Sequence, residues 1–467
     1  MRQDYLGFVT QLQRQHPDIA HVHVLGERVT HVFHPDYVRE VLVDQSDALI
    51  RWERATEVFS VSMGQSVLVT EGAQWQRQRR MLQPGFTPKR VAGYAGLMAT
   101  ATRTALDALA GQVQAQGQAQ GQTHSADVEA LMTRVTLDVI LRTLFGQHQV
   151  QDARPLAQAI QTLSHYGYTQ FFMPFSWPMW MPLPAVRRAR AALRTLNTLI
   201  GQHIGLAQAR GDDGGGDLLT MLRLARDPEQ ATQGLSAQEL HDQTMVMFQA
   251  GHETSATALT WWCGLMARHP EVARRIRHEV DTVLQGQDPT PATLAHLPWL
   301  QASIKESLRL YPPAAILMTR RACKDIRVGP WRLPKGQLIA LTPYVIQRDA
   351  RWFDHPDDFR PERFLPDAPE VPRGAWAPFG TGPRVCIGQH FAMLEIGLIA
   401  AMLMQRFHLH WPQGAAWPAV DLAVSLRPAK AMVLNLKLRA RPSLASPQDR
   451  QQIADPTASK TSTSGTS

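Results

Sequence analysis

"PFGTGPRVCIGQHFAMLE", Pro378 to Glu395, sets one of only three cysteines in a glycine-rich loop directly before an apolar, helix-forming run. Three readings of Cys386 compete. A glycine-rich loop ahead of a helix can cradle phosphate, but no Walker lysine follows, and neither a dinucleotide spacing nor a preceding buried strand is convincing. A nucleophilic cysteine would take His390 as its base, which leaves Arg384 and the glycines unexplained. A metal-bound thiolate accounts for more. Thiolates need positive charge and N–H donors. Gly382, Gly388 and the helix start let amides point at the sulfur, and the N-terminal pole of a helix favours an anion. A lone cysteine with no metal-spaced residue beside it points to haem iron, where the macrocycle supplies four further ligands.

Outside this loop the chain is that of a globular protein. It has 467 residues, 44% apolar and 19% charged, enough to bury a core around a cofactor. Its 48 basic residues, mostly arginine, exceed 40 acidic ones for a net charge of +8. No basic run is interleaved with aromatics as a nucleic-acid groove requires, so no nucleic acid is expected. The excess reads either as a mixed, solvated surface or as a basic patch for an acidic protein partner. Cys263, Cys323 and Cys386 stand far apart, which supports neither a disulfide framework nor a cysteine zinc site and suits a reducing cytoplasm. The N-terminus lacks an apolar leader, and no run reaches the roughly 20 residues of a bilayer span, so the expectation is a soluble, cytoplasmic protein.

Along the chain, residues 20–43 read as a hairpin around Gly26 with a helix opening near Pro35, and residues 75–310 as dominantly helical. "GQVQAQGQAQGQ" (111–122) and "RGDDGGGD" (210–217) read as flexible polar linkers. "MPFSWPMWMPLP" (173–184) is either a packed connector or a hydrophobic lid. Short β signals return in "IRVGPWRLPKGQLIAL" from Ile326, broken at Gly329-Pro330 and Lys335-Gly336. The segment 442–467 is too polar to bury a core and reads as a disordered tail, leaving residues 1–441 as one domain.

"FGTGPRVCIG" (Phe379–Gly388) resembles the haem-binding signature of the cytochrome P450 family at five fixed positions: Phe379, Gly382, Arg384, Cys386 and Gly388. The resemblance implies a mainly α fold with a small β region. It also implies Cys386 as proximal thiolate to haem b, Arg384 on a haem propionate, and Phe379 beside the sulfur. Support comes from elsewhere in the chain. Ser236 and Glu239 form a capping box, and nothing halts the helix they open before His269-Pro270, about 33 residues and about 50 Å later. Gly251 in its middle costs about 1 kcal/mol against alanine. With Ala250 and Thr254 it lies on one side of the helix, and Thr254 can bond back to the Ala250 carbonyl. A notch for a crossing helix is the commoner use of such residues. "AGHET" (250–254), however, is similar to the family's oxygen-activation motif, which implies Ala250 and Gly251 beside the haem, Thr254 in oxygen activation and Glu253 in proton delivery. His252 falls at the variable position and reads as an ordinary helix residue.

Glu306 and Arg309, at i, i+3, would commonly be a surface pair worth little. The resemblance instead joins them with Arg363 of "FRPERF" in a buried triad bracing the cysteine loop. Trp75 and Arg79, one turn apart, read either as part of a basic face or, by resemblance, as propionate ligands. Arg77 and Arg80 point elsewhere, as a basic face or a docking surface for an electron donor. Arg320 or Arg321 is a further propionate candidate. Gln347 and Ala350 depart from commoner His and Pro, which puts a local turn in question. The substrate pocket implied by resemblance includes Val67, Leu68, Ala250, Thr254, Ala315, Ile316 and Val424, all small or aliphatic.

The function expected is monooxygenation: one atom of O2 enters an apolar substrate such as a fatty acid, terpenoid or steroid. Electrons would come from a separate ferredoxin or flavodoxin with its reductase, since only polar residues follow 442, and the enzyme would work as a monomer. A peroxide-driven or isomerising haem-thiolate enzyme is the nearest alternative, and the Glu253–Thr254 acid–alcohol pair argues against it. A haem-based gas sensor or gas-binding protein is a more distant one.

Overall fold

The computed structural model describes residues 4–24, 26–116, 123–146, 154–171, 173, 175–209 and 216–439. The segment 442–467 lies outside them, as do 117–122 and 210–215 of the two expected linkers. The first linker is shorter than expected, because the helix Ala95–Gln116 runs into it. Gln and Ala are good helix formers, and Leu109, Ala110 and Val113 anchor this stretch in the core. The second linker closes on Asp217, which caps the helix Leu218–Leu224 by accepting the Thr220 amide at 2.7 Å.

One five-stranded sheet gathers chain from both ends. Strands β1 (Ile19–Val24) and β2 (Glu27–Val32) form the expected hairpin around Gly26, whose φ is +80°. With β3 (Leu49–Arg51), β4 (Arg320–Ala322) and β5 (Leu338–Leu341) the order is β1-β2-β5-β4-β3. Only the β2–β5 pair is parallel. The hairpin Ile326–Val328/Trp331–Leu333 turns at Gly329, as read from the sequence. Strands β3 and β4 have three residues each, too few for an alternation pattern to show. Their register sets Arg51 opposite Arg320.

The rest is helical, and seven helices position the site: α1 (Gly72–Leu82), α2 (Val128–Phe145), α3 (Arg154–Phe171), α4 (Pro184–Ala209), α5 (Ala237–Arg268), α6 (Pro298–Leu310) and α7 (Gln389–Arg406). The 32-residue α5 carries the Ser236/Glu239 capping box and stops at His269 before Pro270. It packs on α2, α4, α6 and α7, and its residues 242–249 and 255–267 are all buried. Such all-round burial marks a helix in the middle of a large core. Trp261 and Trp262 fix its far half. Their indole N–H groups donate to the Leu426 carbonyl (2.8 Å) and the Ser303 hydroxyl (2.9 Å), so two large rings are buried without orphaned donors. Among the described residues no helix is long and apolar enough to cross a membrane.

Candidate active site

The cysteine loop is held by its own backbone. The Cys386 amide donates to the Phe379 carbonyl at 3.0 Å and the Val385 amide to the Gly382 carbonyl at 3.0 Å. Gly382 has a φ of +76°, and a Cβ there would lie 2.0 Å from the Leu42 carbonyl oxygen, so only glycine fits. α7 starts three residues after Cys386 with Gly388 as its cap, and the Gly388 amide donates to the sulfur. Cys386 is exposed, yet burial within the protein pushes its thiol up, opposed by the Gly388 amide and by Arg79. Both statements hold for a sulfur that faces a recess walled by protein. The other cysteines differ: Cys263 is buried among apolar side chains that push it up to about 12, and Cys323 lies on the surface.

Beside the loop stands a partly buried cluster of four arginines with one carboxylate. Arg384 donates to the Thr70 carbonyl (3.0 Å), pairs with Glu71, and lies over the Trp75 ring, 3.7 Å from its centroid. Arg51 reaches the same Thr70 carbonyl (3.2 Å) and Glu71 (3.4 Å). Arg320 is buried, and Arg79 is half-buried within reach of the Cys386 charge. Burial lowers Arg51 to about 9, helped by Arg384 and Arg320 and opposed by Glu71. Burial likewise lowers Arg384 to about 10, with Glu71 opposing and Arg320 and Arg79 reinforcing. Guanidiniums that depress one another in this way call for further anions. The two propionates of a haem fit that need, and Cys386 fits its iron. Among the described residues no group of three His, Cys, Asp or Glu could hold a metal, so the metal must bring its other ligands.

The central stretch of α5 leaves one strip uncovered. Between residues 242 and 267 only Ala250 and Thr254 are exposed, with Gly251 half-buried between them. The Thr254 hydroxyl donates to the Ala250 carbonyl at 2.8 Å, one turn back. Glu253 points elsewhere. Its carboxylate accepts from Ser164 of α3 (2.6 Å), Ser425 (2.7 Å) and Arg427 (2.7 Å). Burial would raise it, but Arg427, Ser164 and Ser425 together hold it below the usual carboxylate range. Glu253, His252 and Arg427 also line a cavity of about 1220 Å³ bounded by Ala95–Gln116, α2, α3 and α5. That cavity has neither Thr254 nor Cys386 in its wall. His252 is buried and held neutral, its pKa lowered by burial to about 4.

A model of the cytochrome P450 family matches residues 2–435 of the chain. The chain belongs to the cytochrome P450 family. It is 35% identical over 398 residues to cyclooctatin synthase of Streptomyces melanosporofaciens, covering 84% of this chain and 83% of that one. The cyclooctat-9-en-7-ol 5-monooxygenase of the same organism is 32% identical, again covering 84% and 83%. Pentalenene oxygenase of Streptomyces avermitilis is 32% identical over 93% of each chain. Among solved structures, the haem domain of cytochrome P450DA superposes with a TM-score of 0.81 at 27% identity, covering 94% of this chain and 93% of that one. The protein is thus a haem-dependent P450 monooxygenase that uses O2, a redox partner and a small-molecule substrate.

Within this P450 Glu306 and Arg309 of the predicted triad are buried, Arg363 is half-buried, and the three do more than pair charges. Arg309 makes two parallel bonds to Glu306 (2.7 and 2.8 Å), both side chains being 0% exposed, and Arg363 approaches Glu306 at 3.4 Å. Arg309 also donates to the carbonyls of Gln347 (2.8 Å), Pro356 (2.7 Å) and Asp358 (3.0 Å). Gln347 continues the chain of contacts: its side chain donates to the Leu308 and Arg309 carbonyls and accepts the Ala377 amide at 2.9 Å, two residues before Phe379. The turn at Gln347, in question from the sequence, is ordered by these bonds.

Several expectations change on contact with the structure. A Cβ on Gly251 would meet Ile140 of α2 at 3.0 Å, so this glycine serves the crossing helix, and the exposed strip belongs to Ala250 and Thr254. Ala315 is 1% exposed and packs with Leu6 and Leu426, so it does not line a pocket, whereas Val67, Leu68, Ile316 and Val424 stay half-buried. Arg321 is taken up by Glu27 (3.0 Å) and Glu53 (2.7 Å), which leaves Arg320 for the cluster. Arg77 pairs with Glu239 and Arg80 with Glu229 (2.8 Å), so neither forms a free basic face. Arg51, Glu71, Arg427, Ser164 and Ser425 were not singled out from the sequence. Arginine is too frequent in this chain for any one to stand out, and the serines reach Glu253 only through folding.

Proposed function

We propose that this P450 inserts one oxygen atom from O2 into a cyclic, apolar terpenoid, using electrons from a ferredoxin or flavodoxin. The observation that carries the reading is the Cys386 sulfur, which accepts the Gly388 amide and has Arg79 of the four-arginine cluster within reach of its charge. The names of three relatives, which refer to cyclooctatin, cyclooctat-9-en-7-ol and pentalenene, support the substrate class. Noncovalent haem b is the cofactor proposed, because no second cysteine stands near Cys386 to attach the macrocycle.

When bound, the haem supplies the reduction of O2 and the transfer of one of its oxygens. The chain's own residues do the rest. Cys386 holds the iron through a sulfur steadied by the Gly388 amide and Arg79. Arg51, Arg79, Arg320 and Arg384 take the propionates, and Trp75 keeps Arg384 planar against its ring. Thr254 presents its hydroxyl on the open strip of α5, with its proton held on the Ala250 carbonyl until a better acceptor comes within reach. Glu253, held ionised at neutral pH by Arg427, Ser164 and Ser425, takes up a proton from the cavity side of α5 when Arg427 swings away and gives it up again as Arg427 returns. Val67, Leu68, Ile316 and Val424 exclude water from an apolar substrate without offering it a charge.

The test is a panel of cyclic terpenes titrated into holoprotein, with Soret shifts as the binding readout and ¹⁸O2 labelling of product as the chemical one. Binding in the micromolar range and one labelled oxygen per product are expected. Unlabelled product, or turnover with hydrogen peroxide as fast as with redox proteins, would move the assignment to a peroxide-driven enzyme.

A further inference from the structure

The N-terminal helix Tyr5–Gln15 has no part in the catalytic reading, yet it is built firmly into the molecule. Asp4 caps it by accepting the Gly7 amide at 2.8 Å, and Gln13 donates to the Asp349 carboxylate at 2.9 Å. Its Leu6 is 5% exposed and packs with Ala315 and Leu426, both buried and both remote from it along the chain. Each of these two partners belongs to a short stretch that leads to a part of the active site.

Leu426 lies in the hairpin Val420–Leu422/Leu426–Pro428, which stands against α5. The Leu426 carbonyl accepts the Trp261 indole at 2.8 Å, and Ser425 and Arg427 hold Glu253. Trp261 is about two turns on from Thr254, along the same side of α5. Ala315 lies in the stretch 313–317. The Pro313 carbonyl accepts the Leu426 amide at 2.9 Å, and the Ala315 carbonyl accepts the Tyr344 amide at 3.3 Å. At the other end the Leu317 methyls are 3.8 Å from where a Cβ on Gly380 would stand, against the cysteine loop. Hairpin and stretch are thus one bonded unit reaching from α5 to the cysteine loop, and Leu6 packs on both of its halves. Ile316 and Val424 are half-buried members of that unit.

We propose that Leu6 is a positioning residue for the substrate, setting through Ala315 and Leu426 how far Ile316 and Val424 stand into the space an apolar substrate occupies. The inference rests on the reading of Ile316 and Val424 as substrate-facing. Protein interiors are close-packed and transmit strain, so a change of volume at Leu6 moves the bonded unit. A smaller side chain there lets the unit settle back, and a larger one at Ala315 pushes it forward. A leucine that merely anchored its helix would alter stability and leave the choice of ligand untouched.

Titration of the holoprotein with imidazole and with trityl-imidazole tests it, because both bind the iron and only the second presses on its surroundings. Affinity for the bulky ligand relative to imidazole, read from the Soret band, is expected to rise roughly three- to tenfold in Leu6→Ala. It should rise less in Leu6→Val and keep the wild-type value in Leu6→Met, a nearly volume-conserving change. Ala315→Val should lower the ratio, and Leu6→Ala/Ala315→Val should return it towards wild type. The Val and Met variants keep the comparison readable if Leu6→Ala fails to retain haem. Ile316→Ala, which alters the same unit directly, serves as the reference. A ratio unmoved across the Leu6 series while Ile316→Ala shifts it overturns the proposal, and so does a Leu6→Ala effect that Ala315→Val leaves unchanged. A ratio that Ile316→Ala also leaves unmoved overturns the underlying reading of the pocket together with the inference.

Discussion

Gly382 and Glu395 show how much a single position can carry. At Gly382 both the positive φ and the Leu42 carbonyl 2.0 Å from any Cβ oppose substitution. Gly382→Ala is expected to cost at least about 1–3 kcal/mol from backbone strain alone and to abolish haem retention, read as loss of the 450 nm carbon monoxide band. Glu395 of α7 is buried, and neither carboxyl oxygen has a hydrogen-bond partner among the described residues. Burial raises it from 4.5 to about 8, with the neighbouring Ser255 hydroxyl opposing. A raised folded-state value means that the stabilising contribution is complete below pH 4.5 and is lost as pH rises through 8. Glu395→Gln should therefore melt higher than wild type at pH 8.5, with the difference closing towards pH 5, as thermal denaturation across that range would show. A melting difference independent of pH would mean that Glu395 is paired after all. The glycine was legible in the signature. The carboxyl was not, because a glutamate in a helix looks solvated until its neighbours are known.

Among the elements, the triad and the crossing of α5 over α2 decide most. Glu306, itself fully buried, sits between the buried Arg309 guanidinium and the half-buried one of Arg363. Removing one partner of a buried pair leaves the other charge uncompensated, so Glu306→Ala should cost about 3–5 kcal/mol, measured by denaturant unfolding of the holoprotein. Its effect should reach Cys386 through Gln347 and Ala377, seen as conversion of the 450 nm band towards 420 nm. Gly251→Ala gains about 1 kcal/mol of helix propensity but drives a methyl to 3.0 Å from Ile140. The single variant is expected to lose stability and the double variant with Ile140→Val to recover it. An equal response to both would remove Ile140 as the cause. The capping box, the proline stop and the length of α5 were readable because local chemistry sets helix ends. The role of Gly251 was not, since residues 250, 251 and 254 share a side of the helix but face different partners.

Taken whole, the molecule brings like charges together at its centre and leaves them for a ligand to neutralise. Haem binding should raise the melting temperature by mass action, about 4 kcal/mol at a thousandfold excess over Kd. Arg51→Gln should shrink that gain by destabilising the haem-loaded form more than the haem-free one, measured by paired melts. An unchanged gain would remove Arg51 from the propionate cluster. The net charge of +8 has a similar lesson. Read as a sum it suggested an acidic redox partner, but most of it lies between Ala153 and Gly211, a stretch with six arginines and no Asp or Glu, so overall charge is no evidence for electrostatic attraction to an electron donor. What the sequence determined by itself was the family, the mainly α architecture, the cysteine loop and the long helix, because each is written in residues close together along the chain. What only the tertiary structure decided was which arginines converge, where Glu253 points, and which small residues face open space. Those depend on elements hundreds of residues apart, whose approach is governed by packing and charge burial rather than by any local pattern.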